Sequence, residues 1–196
     1  YTSRTPELPS FEIQLGDLGI FTAKIKVPDI VRMYDHLSTK GIEILSKPDK
    51  APDGNGHFFV KDPYQNIFEL VKGDNWFTKG NGISGGVGGC IIGVSEIDMA
   101  RKLYSDILGY DKVIYDEEGT FEDLGALPGG GNKFRRVLLN RSAPVQGSFS
   151  KILGPGVMEL VQVLDREPRK IFENRFWGDR GFIHLCFDIY GMDDIE

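Results

Sequence analysis

The sequence has only two cysteines, three histidines and no apolar run near the roughly 18 residues that would span a bilayer. Cys90 and Cys186 each sit inside an apolar stretch, where each reads as a small buried thiol ahead of a disulfide partner. Cations are also scarce. Lys and Arg number 23 against 29 Asp and Glu, a net charge of -6, which argues against the clustered basic surface that nucleic acids require. Residues 1–6 do not have the charged, apolar and small-residue order of a signal peptide. A cytoplasmic protein with neither a membrane nor a nucleic-acid partner is the expectation. What remains is ordinary globular material: 40% hydrophobic and 27% charged residues in 196, enough for one large domain or two small ones.

The order of elements repeats along the chain. Ile20 to Val27 alternates apolar and polar residues as a half-buried strand does, with Thr22, Lys24 and Lys26 on one face. Pro28 and the N-cap candidate Asp29 open a helix with an apolar stripe of Ile30, Met33, Tyr34 and Leu37, and Gly41 closes it. Strands near 42–45, 57–60 and 67–71 complete a first module over 20–75, after a linker over 1–19. A second, longer module over 83–165 begins with a strand from Val87. Its helix has Ser95 and Asp98 as a capping box, Ile97, Ala100, Leu103, Tyr104, Ile107 and Leu108 as the buried stripe, and Gly109 as the stop. Strands near 112–115, 134–140 and 157–163 follow. The glycine-rich segment 125–132 lacks the lysine and spacing of a phosphate-binding loop and reads as a hairpin tip or substrate lid.

A third module would begin at 181–196, with Phe182 to Ile189 as its first strand and a helix start behind it. Shifting the sequence by 162 residues supports that reading: Arg4 meets Arg166, Pro6 meets Pro168, Gly16 meets Gly178, Asp17 meets Asp179 and Gly19 meets Gly181. By this repeat, residue 1 follows the last strand of an earlier module, and the chain is the middle of a four-module protein.

Three motifs carry a family resemblance: Asp62-Pro63-Tyr64-Gln65-Asn66-Ile67-Phe68-Glu69-Leu70-Val71, the helix Ala100 to Tyr110 ending in Leu108-Gly109, and Gly181-Phe182-Ile183-His184-Leu185. They resemble the glyoxalase, bleomycin-resistance and extradiol-dioxygenase superfamily, also called vicinal oxygen chelate proteins, with Gln65 where the family usually has glycine. The resemblance implies an α+β fold of βαβββ modules that pair into cup-shaped sheets. It also implies metal ligands on the first and last strands of each module. The first-strand position falls on Thr22, Gly89 and His184, and the last-strand position on Glu69 and Glu159.

Glu159 is notable without the family, because a carboxylate among Val157, Met158, Leu160 and Val161 must be paired, protonated or bound to a cation. His184 lies in a similarly apolar run and suits a borderline divalent metal. The plain alternative is a satisfied core histidine and a Glu159 paired with Lys or Arg. On the family reading, Glu159 and His184 are metal ligands beside a carboxylate from a strand outside this chain, Glu69 is the metal-ligand position of the other cup, and Glu159 either ligates or serves as catalytic base. Gly89 leaves a position open, and the ion is Mn, Ni, Zn, Fe or Mg. Arg135, Arg136 and Asn140 lie on a strand that would line the second module's cup, and Arg135 and Asn140 are the substrate-binding candidates. His57 reads equally as a cup-lining or an edge residue, and His36 as solvated.

The expected function is that of a metal-dependent lyase or isomerase, ahead of a ring-cleaving dioxygenase, acting on a small oxygen-bearing substrate. The rival is a metal-free protein that sequesters a small molecule. Modules two and three are expected to share one cup, and module one to pair outside this chain. Open first-strand edges would favour a homo-oligomer or pairing with further modules.

Overall fold

The computed structural model describes residues 4–73, 75, 82–144 and 149–187. Among these, strand β1 (Gly19–Val27) leads to helix α1 (Ile30–Ser38), two short strands β2 (Glu43–Ile44) and β3 (Asp49–Lys50), and strands β4 (Gly56–Lys61) and β5 (Ile67–Lys72). The second module follows the same order. It contains β6 (Val87–Gly93), helix α2 (Ile97–Arg101) continued by a π-helical turn (Lys102–Ile107), β7 (Lys112–Gly119), β8 (Phe134–Asn140), a short helix α3 (Ser150–Leu153) and β9 (Val157–Val163). The fold is α+β.

All nine strands belong to one mixed sheet in the order β2-β4-β5-β1-β6-β9-β8-β7, with β3 paired to β4. Within each module the first and last strands run parallel, β1 beside β5 and β6 beside β9. The modules join through β1 and β6, which pair antiparallel. The expected pairing is thereby corrected: modules one and two share the cup, and their first strands are central, with their backbone groups satisfied by neighbours on both sides. The sheet's outer strands are β2 with β3 on one side and β7 on the other.

Alternation along these strands separates two faces. One face carries the helices: α1 covers Phe58, Val60 and Leu70, and α2 covers Cys90, Ile92, Val137, Leu139 and Leu160. The other face is concave, with Phe21, Phe59, Ile67, Ile91, Phe134 and Val161 packed around Leu15, Leu124 and Leu127. Leu127 belongs to the segment read as a hairpin tip or lid, and Leu124 immediately precedes it. They are buried, and Leu15 N–H donates to Pro128 O at 2.9 Å, so this loop plugs the floor of the cup.

Helix α1 starts as expected, with Asp29 accepting from Arg32 N–H at 3.0 Å. Helix α2 differs: Glu96, not Ser95, is the cap, accepting from the amides of Asp98 and Met99. The π-helical turn also rotates the expected stripe, Leu108 N–H bonding back to Leu103 O at 3.1 Å. Ile97 stays buried and Tyr104 and Leu108 still pack inward, whereas Leu103 and Ile107 face solvent. Of the thiols, Cys90 is buried against Met158, and burial pushes its pKa up to about 12. Cys186 is exposed, contrary to expectation, because residues 182–187 join no ladder among the described residues. The expected helix start of a third module, within 188–196, lies outside the described residues.

The 162-residue repeat reappears as reciprocal contacts between two linkers. Arg166 donates to Asp17 at 2.7 Å, and Arg4 donates to Asp179. Arg169 N–H donates to Asp17 at 2.9 Å, and Glu7 N–H to Asp179 at 3.0 Å. Gln14 N–H reaches the other oxygen of Asp17 at 2.8 Å, as Phe176 N–H does for Asp179 at 3.0 Å. Leu18 N–H donates to Arg169 O, and Arg180 N–H to Glu7 O. In every case the second contact is the first with each residue exchanged for its repeat mate. Residues 4–19 and 166–181 thus form a pseudo-twofold clasp. No helix among the described residues is long and apolar enough to cross a membrane.

Candidate ligand cavity in the sheet cup

The register of the central strands sets the site. β1 places Lys24 beside Glu69 of β5, while β9 places Glu159 beside Ile91 of β6. The Lys24 ammonium donates to Glu69 Oε2 and, at 2.7 Å, to Glu159 Oε2. Both last-strand carboxylates therefore converge, and they converge on a lysine. Around them, His57 Nδ1 lies 2.8 Å from Glu69 Oε1, and Tyr115 O–H donates to Glu159 Oε1 at 2.9 Å. Arg136 donates to the same oxygen at 2.9 Å and to both oxygens of Asp123. The residues of this cluster are all buried or nearly so.

Burial alone would lower the pKa of Lys24, but the carboxylates of Glu159 and Glu69 outweigh it and hold the amine protonated. Burial likewise opposes ionisation of Glu159 and Glu69; Lys24 overrides it in both, helped by Arg136 at Glu159 and by the His57 hydrogen bond at Glu69, and both pKa values fall. Asp123 differs, because burial there exceeds the pull of Arg136 and its pKa rises. His57 Nε2 lies 3.4 Å from Asp123 Oδ2 without a hydrogen bond, a buried polar atom left unpartnered.

Above this cluster opens a cavity of about 340 Å³ between the modules, lined by Lys24, Lys26, His57, Glu69, Tyr115 and Asn140 among others. Lys26 is buried, and among the described residues its ammonium donates to two backbone carbonyls, Asn75 O at 3.0 Å and Pro155 O at 3.4 Å. No carboxylate among the described residues pairs with it, and burial lowers its pKa.

Several expected residues fall elsewhere. His184 is exposed, stacked on Trp177 at 4.8 Å, in a groove beside the π-helical turn that continues α2 and apart from the cup. Arg135 faces away from the cavity and forms ion pairs with Asp98 and Asp116, because its neighbour Arg136 takes the inward position on β8. Asn140 does line the cavity. Thr22 is spent on a hydrogen bond to Ile67 O. Gly89 leaves no opening for a ligand: a Cβ there would lie 1.9 Å from Val157 O, so the glycine is required by the close approach of β6 and β9. His57 lines the cup, and His36 is exposed. Lys24, Lys26 and Tyr115 were the residues missed as site residues. The signal was present for the lysines, which alternate with apolar residues on the face of β1 that carries Thr22.

A divalent metal does not fit these residues as they stand. A zinc ion would need carboxylate oxygens at about 2.0–2.2 Å, and the point between Glu69 and Glu159 is filled by the Lys24 ammonium. Among the described residues no three His, Cys, Asp or Glu side chains converge as a ligand set. Glu159, with its oxygens engaged by Lys24, Tyr115 and Arg136, is also a poor base.

Residues 9–70 match the family model of the Glyoxalase/Bleomycin resistance protein/Dioxygenase superfamily. That match covers the first module and less than half of the chain. A solved structure extends the likeness of fold to both modules. A putative dioxygenase from Bacillus subtilis subsp. subtilis str. 168 is 15% identical with a TM-score of 0.50, over 79% of this chain and 44% of that one. Glyoxalase I from Zea mays is 15% identical with a TM-score of 0.47, over 79% and 46%. Streptomyces coelicolor methylmalonyl-CoA epimerase is 15% identical with a TM-score of 0.41, over 74% and 97%. The chain spans less than half the length of the maize and Bacillus proteins. No curated protein matches its sequence. The glyoxalase-superfamily fold read from the three motifs is borne out.

Proposed function

We propose that the cup between the two modules binds a small oxygen-bearing anion at Lys26 and acts on it by proton transfer, as a lyase or isomerase. The observation that carries this reading is the Lys26 ammonium, buried at the cavity with two backbone carbonyls as its hydrogen-bond partners among the described residues. A carboxylate or enolate oxygen would supply the opposite charge that no described residue brings to it. Tyr115 and Asn140, on the same wall, are placed to orient the rest of a small ligand. The lowered pKa of Lys26 brings its amine closer to the range in which a lysine exchanges protons near neutral pH. Ring cleavage is less suited to this donor set, since a facial triad calls for two histidines and His57 alone lines the cavity.

The test is a thermal-shift screen of 2-oxo and 2-hydroxy carboxylates, followed by proton NMR of the stabilising acids in D2O. At least one acid should raise the melting temperature of the wild-type protein, have no effect on Lys26→Gln, and exchange a carbon-bound hydrogen, that of the hydroxyl-bearing carbon in a 2-hydroxy acid or one next to the keto group in a 2-oxo acid. Equal stabilisation of Lys26→Gln overturns the anchor. Stabilisation without exchange would leave a sequestering protein and overturn the enzymatic half.

A further inference from the structure

The cup's most unusual feature is the cation at its centre. Two buried carboxylates from different modules, Glu69 and Glu159, point at one position, the arrangement in which a pair of acidic side chains holds a divalent ion. The position is taken by Lys24, reaching in from β1, which with β6 separates the strands of the two carboxylates. We propose that the Lys24 ammonium is the resident cation of this cup, that it excludes divalent metals from the native protein, and that its removal converts Glu69 and Glu159 into a metal site.

Charge and geometry both support the substitution of ammonium for metal. Lys24 and Arg136 bring two positive charges to Glu69, Glu159 and Asp123, and among the described residues Lys24 is the sole lysine or arginine bonded to Glu69. Without it, two buried carboxylates would face each other with one formal cation between three acids. That excess of negative charge is relieved either by protonation or by a bound cation. The 2.7 Å contact from Lys24 to Glu159 is only about 0.5–0.7 Å longer than a metal–carboxylate bond. A small inward movement of each carboxylate would complete both bonds. His57, bonded to Glu69 Oε1, would hold that carboxylate in orientation. The cavity on the open side has room for the waters that complete the coordination of Mn(II) or Mg(II).

An ammonium also limits what the site can take. It carries three N–H donors and spends two on Glu69 and Glu159, which leaves one for a ligand oxygen. A divalent ion would offer several open positions and chelate two neighbouring oxygens at once.

The experiment measures metal content and folding, so its result is independent of the Lys26 reading. Wild-type protein, Lys24→Ala and Lys24→Ala/Glu69→Gln are each dialysed against Mn(II) or Zn(II), desalted and assayed by plasma mass spectrometry, with melting curves in metal and in EDTA. The expected result is no stoichiometric metal in the wild type, one equivalent in Lys24→Ala with a melting temperature raised by the metal, and loss of both effects in the double variant. If Lys24→Ala folds only when metal is present, that too supports the proposal. One equivalent in the wild type that disappears in Glu69→Gln overturns it, as does a folded Lys24→Ala that takes up none. Should Lys24→Ala fail to fold under either condition, the wild-type titration decides alone.

Discussion

Gln65 occupies the turn between β4 and β5 with a φ of +73°, a conformation that costs an L-residue about 1–2 kcal/mol and costs glycine little. The turn is fixed around it by Asp62, whose carboxylate accepts from the amides of Tyr64 and Asn66, each at 2.8 Å. The physical reason for the family's glycine at this place is therefore visible in the backbone. Gln65→Gly should stabilise the protein by roughly 0.5–1 kcal/mol after the extra freedom of the unfolded chain is counted. Urea denaturation would measure it, and a lower midpoint for the variant would refute the strain argument. The site lysines show the same dependence on position. Lys24 and Lys26 are chemically alike and two residues apart on one strand face, yet Lys24 is neutralised by two carboxylates and Lys26 by none among the described residues.

At the scale of elements, the junction between β6 and β9 is governed by a missing side chain. Gly89 has a φ of +136°, and its Cα lies against Val157 so closely that a methyl group would overlap the carbonyl. Gly89→Ala should cost roughly 3 kcal/mol or more, from backbone strain and from forcing the two strands apart. Gly41→Ala is the control, since Gly41 also has a positive φ, +68°, but has nothing within 4 Å of the added methyl; its cost should be near 1 kcal/mol. Equal losses in the two variants would show that strand separation plays no part.

Strands and helices of this chain were legible because each has one apolar face, so alternation over Ile20 to Val27 and the stripe of α1 translate directly into burial. The path of α2 was not. A π-helical turn adds a residue to one loop of backbone, and the phase of Leu103 and Ile107 is lost with it. The site was half legible. Glu69 and Glu159 are identifiable by their apolar flanks, but the group that meets them depends on which modules share a sheet. Such pairing joins residues as far apart as Lys24 and Glu159, and no local pattern reports it.

Over the whole molecule, the clasp links one end of the described chain to the other. The amide of Glu7, then that of Phe176, and finally Arg4 hold the Asp179 carboxylate down to a pKa of about 2. A carboxylate depressed on folding contributes stability that is complete above its unfolded pKa, about 3.9, and is lost as pH falls through its folded pKa. The clasp contribution from Asp179 should therefore be present at pH 5 and disappear between about pH 4 and pH 2. Melting temperatures of the wild type and Asp179→Asn should converge over that range, and a constant difference would refute the assignment.

The clasp also has a direction in time. Residues 4–19 find their clasp partners in 166–181, which leave the ribosome after both modules have been synthesised. Closing so long a loop costs little more entropy than closing a short one, because the cost grows only with the logarithm of length. The delay is set by translation. While both modules are being made, the first linker is an unmatched half of the clasp, with Asp17 and Leu18 waiting for Arg166 and Arg169, so the emergence of the second linker is what seals the first.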